Sequence, residues 1–247
     1  MSERRAQRAR RPGRAHSQHF LRSQSLAAEL VGDAGIRPGD LAVDLGAGSG
    51  RLTGELAAVA GRVLAVELDP RWAARLRGRW ENVDVVEADA ASCRLPRSPF
   101  RVVANLPFEG TNAILRHLLD DPVVPLMRAD LVVQWGVAVK RALPWPSTVN
   151  GVVWGTWYTI SAERRLPPVA FDPPPSVDAG VLVVRRRDRP LVAAAVAPGY
   201  RRFVAMGFRR GLRGVASGRT LGRLGLARRQ PRQLDAHEWA RLFAECR

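Results

Sequence analysis

One segment, Val43-Asp44-Leu45-Gly46-Ala47-Gly48-Ser49-Gly50-Arg51-Leu52-Thr53, constrains the fold more than any other stretch of the 247 residues. An apolar run leads into three glycines at alternate positions, and a helical pattern follows. Glycine lets a backbone pass close to a ligand, and the start of a helix offers N–H groups with no partner inside the helix. A dinucleotide fold asks for G-x-G-x-x-G, whereas the spacing here is G-x-G-x-G. Alone, the triplet also fits a plain strand-to-helix turn. Around it, however, strand and helix signals alternate. Strands are expected at Leu41–Leu45, Val63–Val66, Val83–Val86, Val102–Ala104, Leu131–Trp135, Val152–Tyr158 and Val181–Val184. Helices are expected at 25–31, Arg51–Ala60, Arg71–Trp80 and Thr111–Leu119. This alternation predicts an α/β fold with a mostly parallel, doubly wound sheet. The proline-rich stretch from Pro167 to Pro175 reads as loop. Beyond Arg189 the strand signals stop, and segments near 191–210 and 232–246 read as helices. The expected organisation is therefore a basic tail at 1–22, a central α/β domain at 23–189 and a basic helical domain at 190–247.

Sheets of this kind bind ligands beyond the carboxyl ends of their strands. Three successive strands carry suitable groups at that edge. The first ends in the glycine turn, with Gly46 and Gly48. The second ends in Glu67, which can accept from both hydroxyls of a ribose. Asp69, just before Pro70, reads instead as a helix N-cap. The third leads to Asp89, which can accept from an adenine amine and also fits a loop cap. The pattern Asp-Leu-Gly-x-Gly-x-Gly resembles motif I of S-adenosylmethionine-dependent methyltransferases.

The fourth strand runs into Asn105-Leu106-Pro107-Phe108. This tetrapeptide resembles the Asn/Asp-Pro-Pro-Tyr/Phe signature of methyltransferases that modify exocyclic amines. The amine of adenine is a poor nucleophile because its lone pair is delocalised into the ring. An asparagine carbonyl and a backbone carbonyl can accept its two N–H bonds, which draws the nitrogen toward tetrahedral geometry and frees the lone pair. Proline restricts the turn that aims the backbone carbonyl. Phe108 offers a flat face for an extruded base.

Charge points to the substrate class. The chain holds 39 basic and 23 acidic residues, net +16, and Lys140 is the one lysine. Residues 1–22 carry seven arginines and one acid, and residues 200–247 carry twelve arginines and three acids. The body between them is nearly neutral. Two basic ends on a neutral body suit a polyanion, although a solvated surface would show the same counts. Arginine forks onto phosphate and stacks on bases, which favours RNA. Residues 1–16 lack apolar periodicity and are expected to be disordered in isolation. Arg8, Arg10, Arg11 and Arg14 in the tail, and Arg209, Arg210 and Arg213 near the other end, are the candidate phosphate contacts. No run of about 18 apolar residues predicts a membrane span. No apolar segment follows the arginine-rich start, so a secretory signal is not expected. Two cysteines without paired spacing, Cys93 and Cys246, suit a reducing cytoplasm and argue against a disulfide scaffold or a cysteine-rich zinc site.

Together these motifs resemble the Erm family, rRNA adenine N(6)-methyltransferases that confer macrolide–lincosamide–streptogramin resistance. Gln18-His19-Phe20-Leu21 is similar to the family's Gln-Asn-Phe-Leu element. Asn105 to Phe108 continues into Glu109-Gly110-Thr111-Asn112-Ala113-Ile114-Leu115 as the family does, and Gln134 to Arg141 resembles its next segment. Phe171-Asp172-Pro173-Pro174-Pro175-Ser176-Val177-Asp178-Ala179 resembles an element shared with the wider rRNA dimethyltransferase group. The resemblance implies a Rossmann-like class I methyltransferase sheet and S-adenosyl-L-methionine as methyl donor, with no metal. It implies donor contacts at His19, Leu21, Gly46, Gly48, Glu67, Asp89 and Asn105, and a catalytic turn at Asn105, Leu106, Pro107 and Phe108. Phe108 would stack on the target adenine. Phe171 would flank it or anchor the proline loop in the core. His19 stands where the family usually has asparagine. This matters if the side chain holds the donor and not if the backbone carbonyl does. The implied partner is 23S rRNA, naked or before assembly, with the target adenine in the peptidyl-transferase loop and the enzyme a cytoplasmic monomer. Two alternatives remain open. One is a housekeeping small-subunit rRNA adenine dimethyltransferase, although those usually read Asn-Leu-Pro-Tyr-Asn-Ile. The other is a non-catalytic nucleic-acid-binding relative, which predicts decay of the Asn-Leu-Pro-Phe motif or of the cofactor acids, and both are intact here.

Overall fold

The computed structural model describes residues 19–246. The expected disorder of 1–16 and the tail arginines Arg8, Arg10, Arg11 and Arg14 lie outside the described residues. In chain order the elements are β1 (Phe20–Leu21), α1 (Gln24–Ala34), β2 (Leu41–Leu45), α2 (Arg51–Val59), β3 (Arg62–Glu67), α3 (Pro70–Leu76) and β4 (Val83–Glu87). Then come β5 (Phe100–Asn105), α4 (Thr111–Leu119), β6 (Leu126–Gln134), α5 (Trp135–Ala142), α6 (Val149–Trp157) and β7 (Tyr158–Leu166). The chain closes with β8 (Phe171–Asp172), β9 (Ala179–Arg186), α7 (Ala197–Arg210), α8 (Gly218–Arg223) and α9 (Ala236–Ala244).

Seven strands form one sheet in the order β4-β3-β2-β5-β6-β9-β7. Strands β2 to β6 are mutually parallel, and β9 runs antiparallel between β6 and β7. The chain moves outward from β2 to β4, returns to β5 on the other side of β2, and continues to β6. Two neighbouring connections therefore leave in opposite directions at β2 and β5. That reversal opens a crevice at the carboxyl ends of these strands, where α/β folds hold ligands. The central strands are apolar along most of their length because helices cover both faces. Among the described residues no helix is long and apolar enough to cross a membrane.

Residues 149–157 correct the expected strand at Val152–Tyr158. They form α6, and the strand begins only at Tyr158. β-Branched and aromatic residues favour strands on propensity, but tertiary burial decides here. Val152, Val153, Trp154, Thr156 and Trp157 are all buried, so the helix shows no polar face to give it away. Thr148 caps it by accepting from Gly151 N–H at 3.1 Å. The expected helix at Arg71–Trp80 is shorter, ending at Leu76, and that at 191–210 begins at Ala197. The proline-rich stretch is loop except for a 3-10 turn at Pro168–Ala170 and for β8, which pairs antiparallel with β1, Leu21 opposite Phe171.

Helices α7 and α9 pack on α6. Trp157 meets Tyr200 edge-on at 6.1 Å, Tyr200 meets Phe243 at 5.1 Å, and Phe203 meets Trp239 at 6.2 Å. One apolar cluster runs from Val43 and Leu45 in the sheet through Trp154 and Trp157 to Trp239 and Leu242. Asp235 caps α9, with Glu238 returning the bond to the Asp235 N–H at 3.0 Å.

Candidate active site

The turns that leave β2, β3, β4 and β5 converge on one cavity at the crevice. Gly46, Gly48, Glu67, Asp89 and Asn105 through Phe108 line it, with His19 and Phe20 closing one side. Val66, Ala90, Leu106 and Ile114 make much of the wall apolar, as small-molecule sites are.

Glu67 organises the glycine turn. Its carboxylate accepts from Gly48 N–H at 2.7 Å and from Asp69 N–H at 2.8 Å, and the residue is only 2% exposed. The Gly46 and Ala47 N–H groups donate to the Val66 carbonyl at 2.8 and 3.0 Å, fastening the turn to β3. Gly48 has φ 50°, and a Cβ there would sit 2.7 Å from the Phe20 ring. Close packing of Phe20 therefore requires glycine at this position. Each Glu67 oxygen uses one lone pair on the backbone and keeps another for a ligand hydroxyl. Asp69 caps α3 as expected, accepting from Arg71 N–H at 2.9 Å. Asp89 caps its loop, one oxygen accepting from Ala91 N–H at 2.9 Å, and the residue lines the cavity.

The Asn105 amide is held in one orientation. Its Nδ2 donates to the His19 carbonyl at 2.7 Å. A carbonyl only accepts, so the amide nitrogen must face it and Oδ1 is left as an acceptor. Leu106 N–H donates to the Val132 carbonyl at 3.0 Å. The Pro107 carbonyl accepts from Gly110 N–H at 3.1 Å and from Thr111 Oγ1 at 3.0 Å, which fixes the turn into α4. The His19 ring lies 5.3 Å from the Phe108 ring, tilted by 41°. Its Nδ1 donates to the Pro173 carbonyl at 2.7 Å. Position 19 thus reaches Asn105 through its backbone, and its side chain braces Phe108 against the proline-rich loop.

Asp44 lies directly beneath the turn, buried, and accepts from Thr53 Oγ1 at 2.7 Å. Burial pushes its carboxyl up to about 7 against the effect of the Thr53 bond, and the neighbouring Glu67 charge adds to the rise.

Two expected residues do not line the cavity. Leu21 is 3% exposed and packs under α1, because alternation along β1 turns Phe20 to the cavity and Leu21 to the core. Phe171 has no exposed surface and belongs to that same core, so it anchors the proline loop and presents no face to RNA. Phe20 was the residue missed. It packs 5.3 Å from Trp72, and the two residues Phe20-Leu21 carry no local signal for which of them faces the cavity. Arg209, Arg210 and Arg213 are exposed at the end of α7 and just beyond it, away from the cavity lining. Among the described residues no group of three or more His, Cys, Asp or Glu is placed to hold a metal ion.

A family model described as ribosomal RNA adenine dimethylase matches residues 11–220. An rRNA adenine N-6-methyltransferase of Corynebacterium diphtheriae is 36% identical over 179 residues, which are 72% of this chain and 70% of that protein. The mycinamicin-resistance protein MyrB of Micromonospora griseorubida is 35% identical over 242 residues, covering 92% of this chain and 76% of MyrB. The ribosomal RNA small subunit methyltransferase A of Anaeromyxobacter dehalogenans is 35% identical over 246 residues, covering 92% of this chain and 84% of its own. Among solved structures, the 23S rRNA methyltransferase ErmE superposes with a TM-score of 0.79 at 28% identity, over 92% of this chain and 99% of that one.

Proposed function

The chain belongs to the ribosomal RNA adenine dimethylase family, and from that premise we propose that it transfers methyl groups from S-adenosyl-L-methionine to the N(6) amine of one adenine in the peptidyl-transferase loop of 23S rRNA, conferring macrolide-type resistance. The observation that carries the reading is the Asn105 amide, locked by the His19 carbonyl so that Oδ1 remains an acceptor at the cavity. The cavity fits the donor. Glu67 keeps lone pairs for ribose hydroxyls, Asp89 keeps a carboxylate oxygen for the adenine amine, and the turn at Gly46 and Gly48 lines the cavity beside them. When bound, the donor supplies an electrophilic methyl on a sulfonium.

The chain's own groups prepare the amine. Asn105 Oδ1 accepts one N–H of the target. The Pro107 carbonyl is already engaged, which leaves the Leu106 carbonyl as the backbone acceptor for the second N–H. With both bonds accepted, the nitrogen lone pair is released from the ring and points at the donor side. Phe108, braced by His19, stacks on the extruded base. The amine acidifies as it is alkylated, so no strong base is needed. In this reading 23–189 is the catalytic domain, and 1–22 and 190–247 grip RNA, with Arg209, Arg210 and Arg213 on phosphates. The enzyme acts as a cytoplasmic monomer on RNA free of the assembled subunit.

The similarity to the small-subunit methyltransferase of Anaeromyxobacter favours a second reading in which the target lies in the small-subunit rRNA. Phe108-Glu109-Gly110 in place of Tyr-Asn-Ile supports the first. Mass spectrometry of 23S and 16S rRNA, each incubated with protein and donor, separates them. Methylated adenine is expected in 23S rRNA alone, and Asn105→Ala is expected to abolish it while leaving RNA binding. Methylation confined to 16S rRNA would select the second reading, and none in either would leave a binding protein.

A further inference from the structure

Trp145 takes no part in the cavity just described. It stands between Pro144 and Pro146 in the loop joining α5 to α6, and it is 57% exposed, whereas Trp154, Trp157 and Trp239 are buried. Flanking prolines fix the backbone on both sides, so the indole is presented with little freedom to fold back. It shares an open depression with Arg229, Arg232 and Gln233 from the connection between α8 and α9. Among the described residues no acid lines that depression. Arg229 is oriented by the Gln233 carbonyl and by Glu238 at 3.4 Å. Arg232 is exposed and pairs with no acid among the described residues.

The loop is anchored to the catalytic edge of the sheet. Helix α5 starts where β6 ends, and β6 runs beside β5, with Val132 opposite Asn105. In the last turn of α5, Arg141 donates to Asn112 Oδ1 at 2.7 Å. Asn112 lies in the first turn of α4, directly after the turn that carries Phe108. The Arg141 guanidinium also stacks on Trp154 at 5.1 Å, which fixes the corner to α6. Trp145 therefore follows, by four residues, a side chain bonded to the helix that opens behind the candidate catalytic turn.

We propose that Trp145, with Arg232 and Arg229, forms a second base-stacking site that takes an unpaired nucleotide of the substrate RNA outside the methylation cavity. The base lies on the indole and its phosphate meets Arg232. A flat aromatic face beside arginines, with no acid lining it, suits single-stranded nucleic acid, and stacking of this kind tolerates any base. The inference rests on the reading of the chain as an RNA methyltransferase and adds a contact that the reaction itself does not need.

The test uses the full-length protein and a short fluorescein-labelled poly(U) RNA, which contains no target adenine. Anisotropy is expected to show Trp145→Ala weakening binding roughly 5- to 150-fold, while Trp145→Phe retains most of it. Arg232→Ala is expected to lower the slope of log affinity against log salt by about 0.7, the share of one phosphate on a single strand. On 23S rRNA, Trp145→Ala raises KM and leaves kcat. Circular dichroism of all variants matches the parent. Equal affinity of Trp145→Ala and parent, equal losses in the Phe and Ala variants, or no binding of poly(U) by the parent would each overturn the site. Trp145-dependent binding of poly(U) without methylation of any rRNA leaves this site standing and removes the proposed reaction instead.

Discussion

Glu67 clamps the glycine turn and, in the proposed function, also holds a ribose, and the sequence pointed only to the second. Its place at the tip of a strand, next to a glycine turn, made a ribose contact legible. Its two bonds to the Gly48 and Asp69 N–H groups were not, because they depend on how the turn folds back over β3. Glu67→Ala is therefore expected to weaken S-adenosylmethionine binding and also to lower the melting temperature, since two N–H groups lose a charged acceptor worth about 1.5–3 kcal/mol each before water replaces it. Calorimetry with the donor and a thermal melt read the two effects separately. An unchanged melt would remove the clamp, and unchanged affinity would remove the donor contact. Asp44 makes a different prediction. Its carboxyl is near 7 in the folded chain and near 3.8 in the unfolded one. Between those values the folded state holds a proton that the unfolded state has lost. Stability is therefore expected to fall as pH rises from about 4 to about 7 and to level off above it. Asp44→Asn keeps an acceptor for Thr53 and is expected to flatten that slope in melts across this range. A slope that survives the substitution belongs to other groups.

Elements with one polar face were legible, and those without were not. Thr111–Leu119 alternates buried and exposed residues at helical spacing, and the helix begins and ends where the sequence places it. Val149–Trp157 is buried on nearly every side, so its composition imitates a core strand. The site followed the same division. Strand ends are marked by apolar runs, which exposed Gly46, Glu67, Asp89 and Asn105 together. Phe20 and Leu21 sit in a two-residue strand whose partner lies 150 residues away, and local pattern could not say which side chain faced the cavity. The packing of α7 against α9 gives a prediction at this scale. Alanine ordinarily improves a helix over glycine by about 1 kcal/mol. At Gly207 a Cβ would run into the buried Trp239 ring. Gly207→Ala is therefore expected to lower the melting temperature, with an overpacking cost of about 1–3 kcal/mol outweighing the gain in propensity. A higher melting temperature would mean that the Trp239 ring moves aside at little cost.

Charge is arranged at the scale of the whole molecule. Residues 1–16 contain six arginines and one acid, and the trio Arg209, Arg210 and Arg213 is exposed at the end of α7. If both ends meet phosphates, log affinity for RNA falls with log salt at about 0.7 per phosphate on single strands. Deleting 1–16 is expected to lower both affinity and slope, and changing the trio to glutamate is expected to lower them further. Titrations of 23S rRNA at several salt concentrations check this, and an unchanged slope after deletion would assign the tail to solubility alone. The clasp between β1 and β8 acts on yet another axis, that of time. His19 and Phe20 leave the ribosome some 150 residues ahead of the Pro173 carbonyl and the Phe171 strand that hold them in place. At roughly 5–20 residues per second, about 8–30 seconds of synthesis separate the two sides of the clasp. The glycine turn, Glu67 and Asn105 are all made within that interval, so a nascent chain owns the lining groups of the cavity before it owns the strand that fixes His19 and Phe20 as its wall.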